Sequence, residues 1–291
     1  MGWHEIQITT NHATQLEDTL VAFGAQAITL RDAGNQPIYE PPLDFTPSWK
    51  DTFLVALFDD QTDLTSVTIY LQQQMKQGFV SHYQIEHLQD EDWERRCLND
   101  LEPLKFGNRL WICPSWKKPV EADAINIILD PGLAFGTGTH ETTALCLEWL
   151  DENIKGHESI IDYGCGSGIL GLAALKLGSE NVIAIDHDQR ALDVTRSNAE
   201  LNHISEAQLK TFLPATHLQF SVDLVIANIL AQPLIDLASL FASFVKPQGK
   251  ILLSGILAKQ ADDVSEMYSQ WFVMEKATHK NEWVRLVGVR R

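Results

Sequence analysis

The sequence predicts an α/β protein, a mostly parallel sheet with helices on both faces, preceded by a smaller α+β domain. Three observations carry this. From about residue 130 onward, short apolar runs alternate with longer stretches of helical spacing, the pattern of successive strand–helix units. One junction, Ile160-Ile-Asp-Tyr-Gly-Cys-Gly-Ser-Gly168, sets glycines at alternate positions between an apolar run and a helical one. Glycine is needed there because a side chain would block close approach to the backbone. Residues 1–89 follow a different order, β-α-β-β-α-β, the split motif of ferredoxin-like units.

In the first unit, residues 3–9 alternate as a strand, and 13–23 have helical spacing that Gly24 ends. A strand at 27–31 precedes a loop at 34–47 rich in Gly, Asn and Pro. A strand at 53–58, a helix at 64–77 stopped by Gly78, and a strand at 82–88 complete it. Residues 90–107, opening Asp90-Glu-Asp-Trp-Glu-Arg-Arg96, predict a linker helix with Arg95 and Arg96 on a solvated face. The second domain is expected over 108–291. Strands at 109–113 and 125–129 bracket a Pro/Lys-rich loop. Then come helix 142–153, strand 160–163, helix 169–177, strand 182–185, helix 189–202, a faint strand at 209–212, strand 222–227, helix 234–245 and strand 250–253. Residues 271–278 and 283–289 complete the pattern as a hairpin at the sheet edge.

Bulk properties exclude several classes. With 291 residues, 45% hydrophobic and 21% charged, the chain suits two folded domains. No apolar stretch reaches the length of about 18 residues that a membrane span requires. The opening Met-Gly-Trp-His-Glu-Ile has no basic region followed by an apolar core, so a cytoplasmic location is expected. Cys97, Cys113, Cys146 and Cys165 form no C-x-x-C pair and read as reduced thiols. His82 and His87 point to opposite faces of a strand, and His140-Glu141 lacks the second histidine of a zinc helix, so no metal is expected. The net charge of −17 disfavours nucleic acid, whose binding needs Lys and Arg on phosphates, and suits a basic protein partner.

The candidate chemistry lies in three segments. The first is the glycine turn at Gly164, Gly166 and Gly168, whose following helix N-terminus offers N–H groups to a ligand. Asp186 closes the next apolar run, Val182-Ile-Ala-Ile-Asp186, where a carboxylate can accept both hydroxyls of a ribose. Gly166-Ser-Gly-Ile-Leu-Gly171 also matches the dinucleotide fingerprint G-x-G-x-x-G, and a tight turn with no ligand is the plain alternative. Asp162 discriminates between ligands. A carboxylate at the mouth repels a pyrophosphate and favours a sulfonium with a free amino group. The pattern Asp-x-Gly-x-Gly-x-Gly therefore resembles the first motif of S-adenosylmethionine methyltransferases, with Asp186 as their acidic ribose ligand.

The second segment, Asp130-Pro-Gly-Leu-Ala-Phe-Gly-Thr-Gly-Thr-His-Glu-Thr-Thr143, lacks the Gly-Lys-Ser/Thr of a phosphate loop. It reads either as a loop with a threonine capping the next helix, or as a lid in which Phe135 covers the cofactor and Thr143 hydrogen-bonds it. The third is Asn228, which ends Asp223-Leu-Val-Ile-Ala-Asn228. It is a turn former or, at the carboxyl edge of a parallel sheet, a residue facing the ligand crevice. Amino-methyltransferases with Asn-Pro-Pro-Tyr at this point accept hydrogen bonds from the target nitrogen. Asn228-Ile-Leu-Ala lacks their stacking aromatic, which favours a flexible amine over a nucleobase.

Taken jointly, Asp130 to His140, the glycine turn with Ile169-Leu, Ala-Asn228-Ile-Leu, and Phe106-Gly-Asn-Arg-Leu-Trp-Ile-Cys-Pro-Ser-Trp116 resemble the bacterial methyltransferases of ribosomal protein L11, over nearly the whole chain. The resemblance implies a substrate-recognition domain at 1–89, a flexible linker at 90–107, and a Rossmann-like methyltransferase domain at 108–291. It implies S-adenosylmethionine as cofactor, and methylation of lysine ε-amino groups and the N-terminal amine of the large-subunit stalk-base protein L11. Matching cofactor positions are Thr143, Gly164, Asp186 and Asn228, to which the residue reading adds Phe135, Asp162 and Gly166. Asn228 is the candidate catalytic residue. Glu141 and Gln189 stand where relatives are expected to carry proline. Two alternatives remain: a nicotinamide oxidoreductase, and a ribosome-docking protein without catalysis, against which intact Thr143, Asp186 and Asn228 argue.

Overall fold

Alternation in the N-terminal strands decides how the first unit packs. The structure, a computed structural model, describes residues 2–34, 36, 38, 49, 51–89, 102–121, 124–130, 140–214 and 219–291. Strands β1 (Gly2–Thr10), β2 (Ala27–Asp32), β3 (Thr52–Asp59) and β4 (Val80–Gln89) form an antiparallel sheet in the order β2-β3-β1-β4. Ile6, Ile8, Leu54, Ala56 and Phe58 are fully buried on one face. Helices α1 (Ala13–Ala22) and α2 (Thr65–Gln77) cover that face with Leu16, Leu20, Val67 and Leu71. Helix α2 ends at Gly78 in the left-handed conformation (φ 83°), as glycine permits. Element order and sheet order are those of the ferredoxin-like motif. The chain divides into two compact units, Met1–Asp100 and Leu101–Arg291.

The second unit begins earlier than its sequence pattern indicates. Of the expected linker helix, residues 90–101 lie outside the described residues, but its C-terminal part is a strand, β5 (Leu104–Phe106). It pairs antiparallel with β6 (Leu110–Pro114). The reason is a period of two, with Leu104 and Phe106 turned inward around exposed Lys105, closed by a tight turn at Gly107 (φ 60°). A Cβ at Gly107 would collide with the Asp151 carboxylate, which accepts from Asn108 N at 2.7 Å. Strand β7 (Ile125–Leu129) pairs parallel with β6.

The main sheet runs β10 (Leu209–Phe212), β9 (Asn181–Ile185), β8 (Ser159–Tyr163), β11 (Val222–Asn228), β12 (Val245–Leu257), β15 (Trp283–Arg290), β13 (Phe272–Met274), with β14 (Thr278–Lys280) paired to β15. Pairing is parallel from β10 to β12 and antiparallel beyond. The central strands are near-continuous apolar runs because both faces are covered. Ile160, Ile226 and Leu252 face one cluster, and Ile161, Val225 and Ile251 face the other. Helices α3 (Glu141–Asn153), α4 (Ile169–Lys176), α5 (Gln189–Leu201), α6 (Ala231–Asp236), α7 (Ala238–Phe244) and α8 (Ala261–Ser269) connect and flank them.

Three further elements differ from expectation. The C-terminal hairpin forms between β14 and β15, but β15 inserts between β12 and β13 instead of lying at the edge. Its Val284, Leu286 and Val287 are buried, so it is apolar on both faces, which suits an interior strand. The expected helix 234–245 is two helices that meet at Leu237. Helix α3 is capped by His140, not by a threonine: the imidazole Nδ1 accepts from Thr142 N at 3.3 Å.

Candidate active site

The order of the parallel strands reverses between β8 and β11. From β8 the chain winds outward through β9 to β10, and from β11 it winds the other way to β12. Such a switch point opens a crevice beyond the carboxyl ends of the strands. Gly164 follows β8, Asp186 follows β9 and Asn228 ends β11, so the sequence-expected residues emerge at one crevice.

The glycine turn requires its glycines. Gly164, Gly166 and Gly168 have φ of 75°, 55° and 82°, a region that side chains rarely adopt. A Cβ at Gly164 would strike Ile229, and one at Gly168 would sit 2.9 Å from Thr195 Cγ2. The turn is held by backbone bonds to the end of β9 and within itself. Gly164 N and Cys165 N both donate to Ile185 O (2.7 and 3.1 Å), and Gly168 N donates to Cys165 O (2.8 Å). Gly166 N donates to Asp186 Oδ2 at 3.0 Å, while Asp188 N donates to Oδ1 at 3.0 Å. Asp186 is thus fixed by two backbone donors at 7% exposure. Each of its oxygens keeps acceptor capacity for a further donor.

Asp162 occupies a different place from the mouth position expected of it. It is 1% exposed, beneath the turn, and accepts from Gly171 N at 2.9 Å. Burial pushes its carboxyl up to about 7; the Gly171 N–H opposes this, and the nearby charge of Asp186 adds to it. This bond also narrows the expectation that the helix N-terminus presents its N–H groups to a ligand, since that of Gly171 serves Asp162. Cys165 is buried, and burial raises its thiol above the ordinary range, so it is a packed residue of the turn.

Thr143 and Asn228 meet. The Asn228 amide donates to Thr143 Oγ1 at 3.3 Å across 85 positions of sequence. That orientation makes the Asn228 side-chain oxygen the remaining acceptor. Phe135, with Gly132, Gly136 and Gly138, lies outside the described residues, and so does the lid reading of that segment. Glu141, where proline was expected, accepts from Asn281 Nδ2 at 3.2 Å.

Several residues that shape the crevice escaped the sequence reading. Ser254, paired with Asn228 in register, is fully buried and donates to Thr142 O at 3.2 Å, tying β12 to the start of α3. Gly255 (φ 83°) lets the chain after Asn228 approach closely, since a Cβ there would collide with Ile229 O. The available signal was the small pair Ser-Gly inside Ile251-Leu-Leu-Ser-Gly-Ile-Leu257. Thr195 and Asn198, also fully buried, contact the turn from α5. Their signal was a polar stripe on a helix face that otherwise buries Ala191, Leu192 and Ala199. Among the described residues, no group of three or more His, Cys, Asp or Glu is placed to hold a metal.

A parallel sheet with a glycine turn after its first strand, an acidic residue after its second and an antiparallel strand inserted beside its last parallel one defines a Rossmann-like, S-adenosylmethionine-dependent methyltransferase. The family model described as Ribosomal protein L11 methyltransferase (PrmA) matches residues 2–291. The ribosomal protein L11 methyltransferase of Shewanella sediminis is 50% identical over 294 residues, covering 100% of both chains. That of Shewanella baltica is 48% identical with the same coverage. The crystal structure of ribosomal protein L11 methylase from Lactobacillus delbrueckii subsp. bulgaricus has a TM-score of 0.61 and 31% identity, covering 66% of this chain and 100% of its own. The chain belongs to the ribosomal protein L11 methyltransferase family. Membership sets aside the nicotinamide oxidoreductase.

Proposed function

We propose that this chain methylates amines of ribosomal protein L11, the lysine ε-amino groups and the N-terminal α-amine. The observation that carries the reading is the contact of Asn228 with Thr143 at the carboxyl end of β11, at the same switch point as the glycine turn and Asp186. When bound, S-adenosylmethionine supplies an electrophilic methyl group on a sulfonium. The residues fit that cofactor. Asp186, fixed and with acceptor capacity left, suits vicinal ribose hydroxyls. The Cβ-free turn at Gly164 and Gly166 admits a ligand against the backbone. The Thr143 hydroxyl adds a hydrogen-bonding group. The buried carboxyl of Asp162 acts from beneath, holding the first turn of α4 through Gly171 and favouring a cationic ligand when ionised.

The amine has to be neutral to attack, and a free lysine has a pKa of about 10.4. Burial beside a cation disfavours the ammonium form. Asn228 then accepts a hydrogen bond from the amine through its side-chain oxygen and aims the nitrogen lone pair, a positioning contribution. We assign residues 1–89 to recognition of the protein substrate, residues 90–107 to the connection, and the work of the enzyme to the cytoplasm. Incubation of the full chain with purified L11 and cofactor, followed by fragmentation mass spectrometry, tests the reading. Methyl groups are expected on lysine side chains and the N-terminus, and methylation confined to other residue types would overturn the amine assignment.

A further inference from the structure

We propose that Thr195 and Asn198, on one face of α5, are positioning residues for cofactor binding, and that Asn198 joins the glycine turn to the end of β7. Both side chains are fully buried. The Thr195 hydroxyl donates to Gly166 O at 3.0 Å, and the Asn198 amide donates to Ser167 O at 2.9 Å. The two residues are three apart on a helix, so they share a face. They hold two consecutive carbonyls of the turn. In a trans peptide the carbonyl and the following N–H point opposite ways. Pinning Gly166 O and Ser167 O toward α5 therefore sets the orientation of both peptide planes, and with them the crevice side of the turn.

Asn198 does more. Its side-chain oxygen accepts from Asp130 N at 2.9 Å, immediately after β7, while its amide nitrogen serves Ser167. One side chain thus fixes the relative position of the turn and of Asp130 at the end of β7. Asn202, four residues further along, provides the natural comparison. It is also buried, at 3% exposure, but among the described residues its side chain bonds β7 and its own helix: Ile128 N donates to its oxygen at 2.8 Å, and its amide donates to Ile128 O at 2.6 Å and Asn198 O at 2.8 Å. Asn202 anchors the helix to β7 without touching the turn.

The proposal rests on the reading that the turn holds S-adenosylmethionine. Calorimetric titration of the full chain with S-adenosylhomocysteine, the demethylated product, separates the two. Failure of the unaltered chain to bind would overturn that reading and this one with it. If the unaltered chain binds, Asn198→Ala and the near-isosteric Thr195→Val should each weaken binding roughly tenfold, the scale of one lost buried hydrogen bond. Asn202→Ala should lower Tm at least as much while leaving affinity within about twofold, well below the tenfold of one lost buried hydrogen bond. In steady-state assays Asn198→Ala should raise KM for the cofactor and leave kcat at saturation near that of the unaltered chain. Should Asn198→Ala not fold, Thr195→Val decides alone, since it exchanges one hydroxyl for a methyl of similar size. Unchanged affinity in the variants at 195 and 198, or an equal loss in Asn202→Ala, would overturn the proposal, because general loosening of α5 would then account for any effect.

Discussion

Asp186, Asn228 and Asp162 differ in what holds them, and that difference sets what each substitution should do. Asp186→Ala removes a carboxylate fixed by two backbone N–H groups in the crevice. A hydrogen bond to a charged group contributes about 1.5–3 kcal/mol, so cofactor affinity should fall roughly ten- to a hundredfold by calorimetry. Unchanged affinity would remove Asp186 from the site. Asn228→Ala should lower kcat at saturating cofactor on the order of a hundredfold, because its proposed work is orientation of the amine. A defect confined to cofactor affinity would put Asn228 on the wrong ligand. Asp162 should give stability a pH dependence. Its folded-state pKa lies above the ordinary value, 3.8 against about 7. The folded chain therefore holds the proton more tightly than the unfolded one. That contribution to stability is fully present below about pH 4 and is lost as pH rises through about 7. Asp162→Asn abolishes it, so the Tm of the variant relative to the unaltered chain should rise between about pH 5 and about pH 8. A difference in Tm independent of pH would contradict the assignment. The glycines, Asp186 and Asn228 were legible in the sequence because they punctuate apolar runs. The depth of Asp162 was not, because residue type at a strand end does not tell on which side of the turn a carboxylate comes to rest.

At the scale of elements, the parallel strands and the helices between them announce themselves by period, and most of the sheet follows from that. What escapes is what pairing decides. Strand β5 reads as the end of a charged helix until the Gly107 turn folds it onto β6. Strand β15 reads as half of an edge hairpin, yet its two apolar faces carry it between β12 and β13. The buried polar stripe of α5 and the Ser254-Gly255 pair on β12 are likewise tertiary in origin, since their partners lie far along the chain. Gly255 gives a test at this scale. Gly255→Ala forces a side chain into a left-handed conformation and against Ile229 O, just beyond Asn228. It should cost about 2 kcal/mol of stability. It should also lower kcat more than cofactor affinity, because the displaced segment carries Asn228 and not Asp186. Retention of full kcat would show that the path of the chain after β11 does not set the amine position.

For the whole molecule, the two units each have a core of their own. The first packs Ile6, Ile8, Leu54 and Phe58 under α1 and α2, and the second buries both faces of its long sheet. All residues proposed to hold the cofactor belong to the second unit, Leu101–Arg291. That unit alone should fold and bind the cofactor with nearly the affinity of the full chain, and should lose methyl transfer to L11 if residues 1–89 recognise the substrate. The net charge of −17 agrees with a basic protein substrate and adds a dependence on ionic strength, with KM for the protein rising with salt while cofactor affinity changes little.

The most direct measurement is the mass of purified ribosomal protein L11 after incubation with the full chain and S-adenosylmethionine, with modified positions located by fragmentation. Mass increases of whole methyl groups are expected, borne by lysine ε-nitrogens and the N-terminal amine, and strongly slowed in Asp186→Ala at limiting cofactor and in Asn228→Ala at saturating cofactor. A chain that binds the cofactor yet leaves L11 unmodified, or places the methyl groups on non-amine side chains, would contradict the proposed amine methylation.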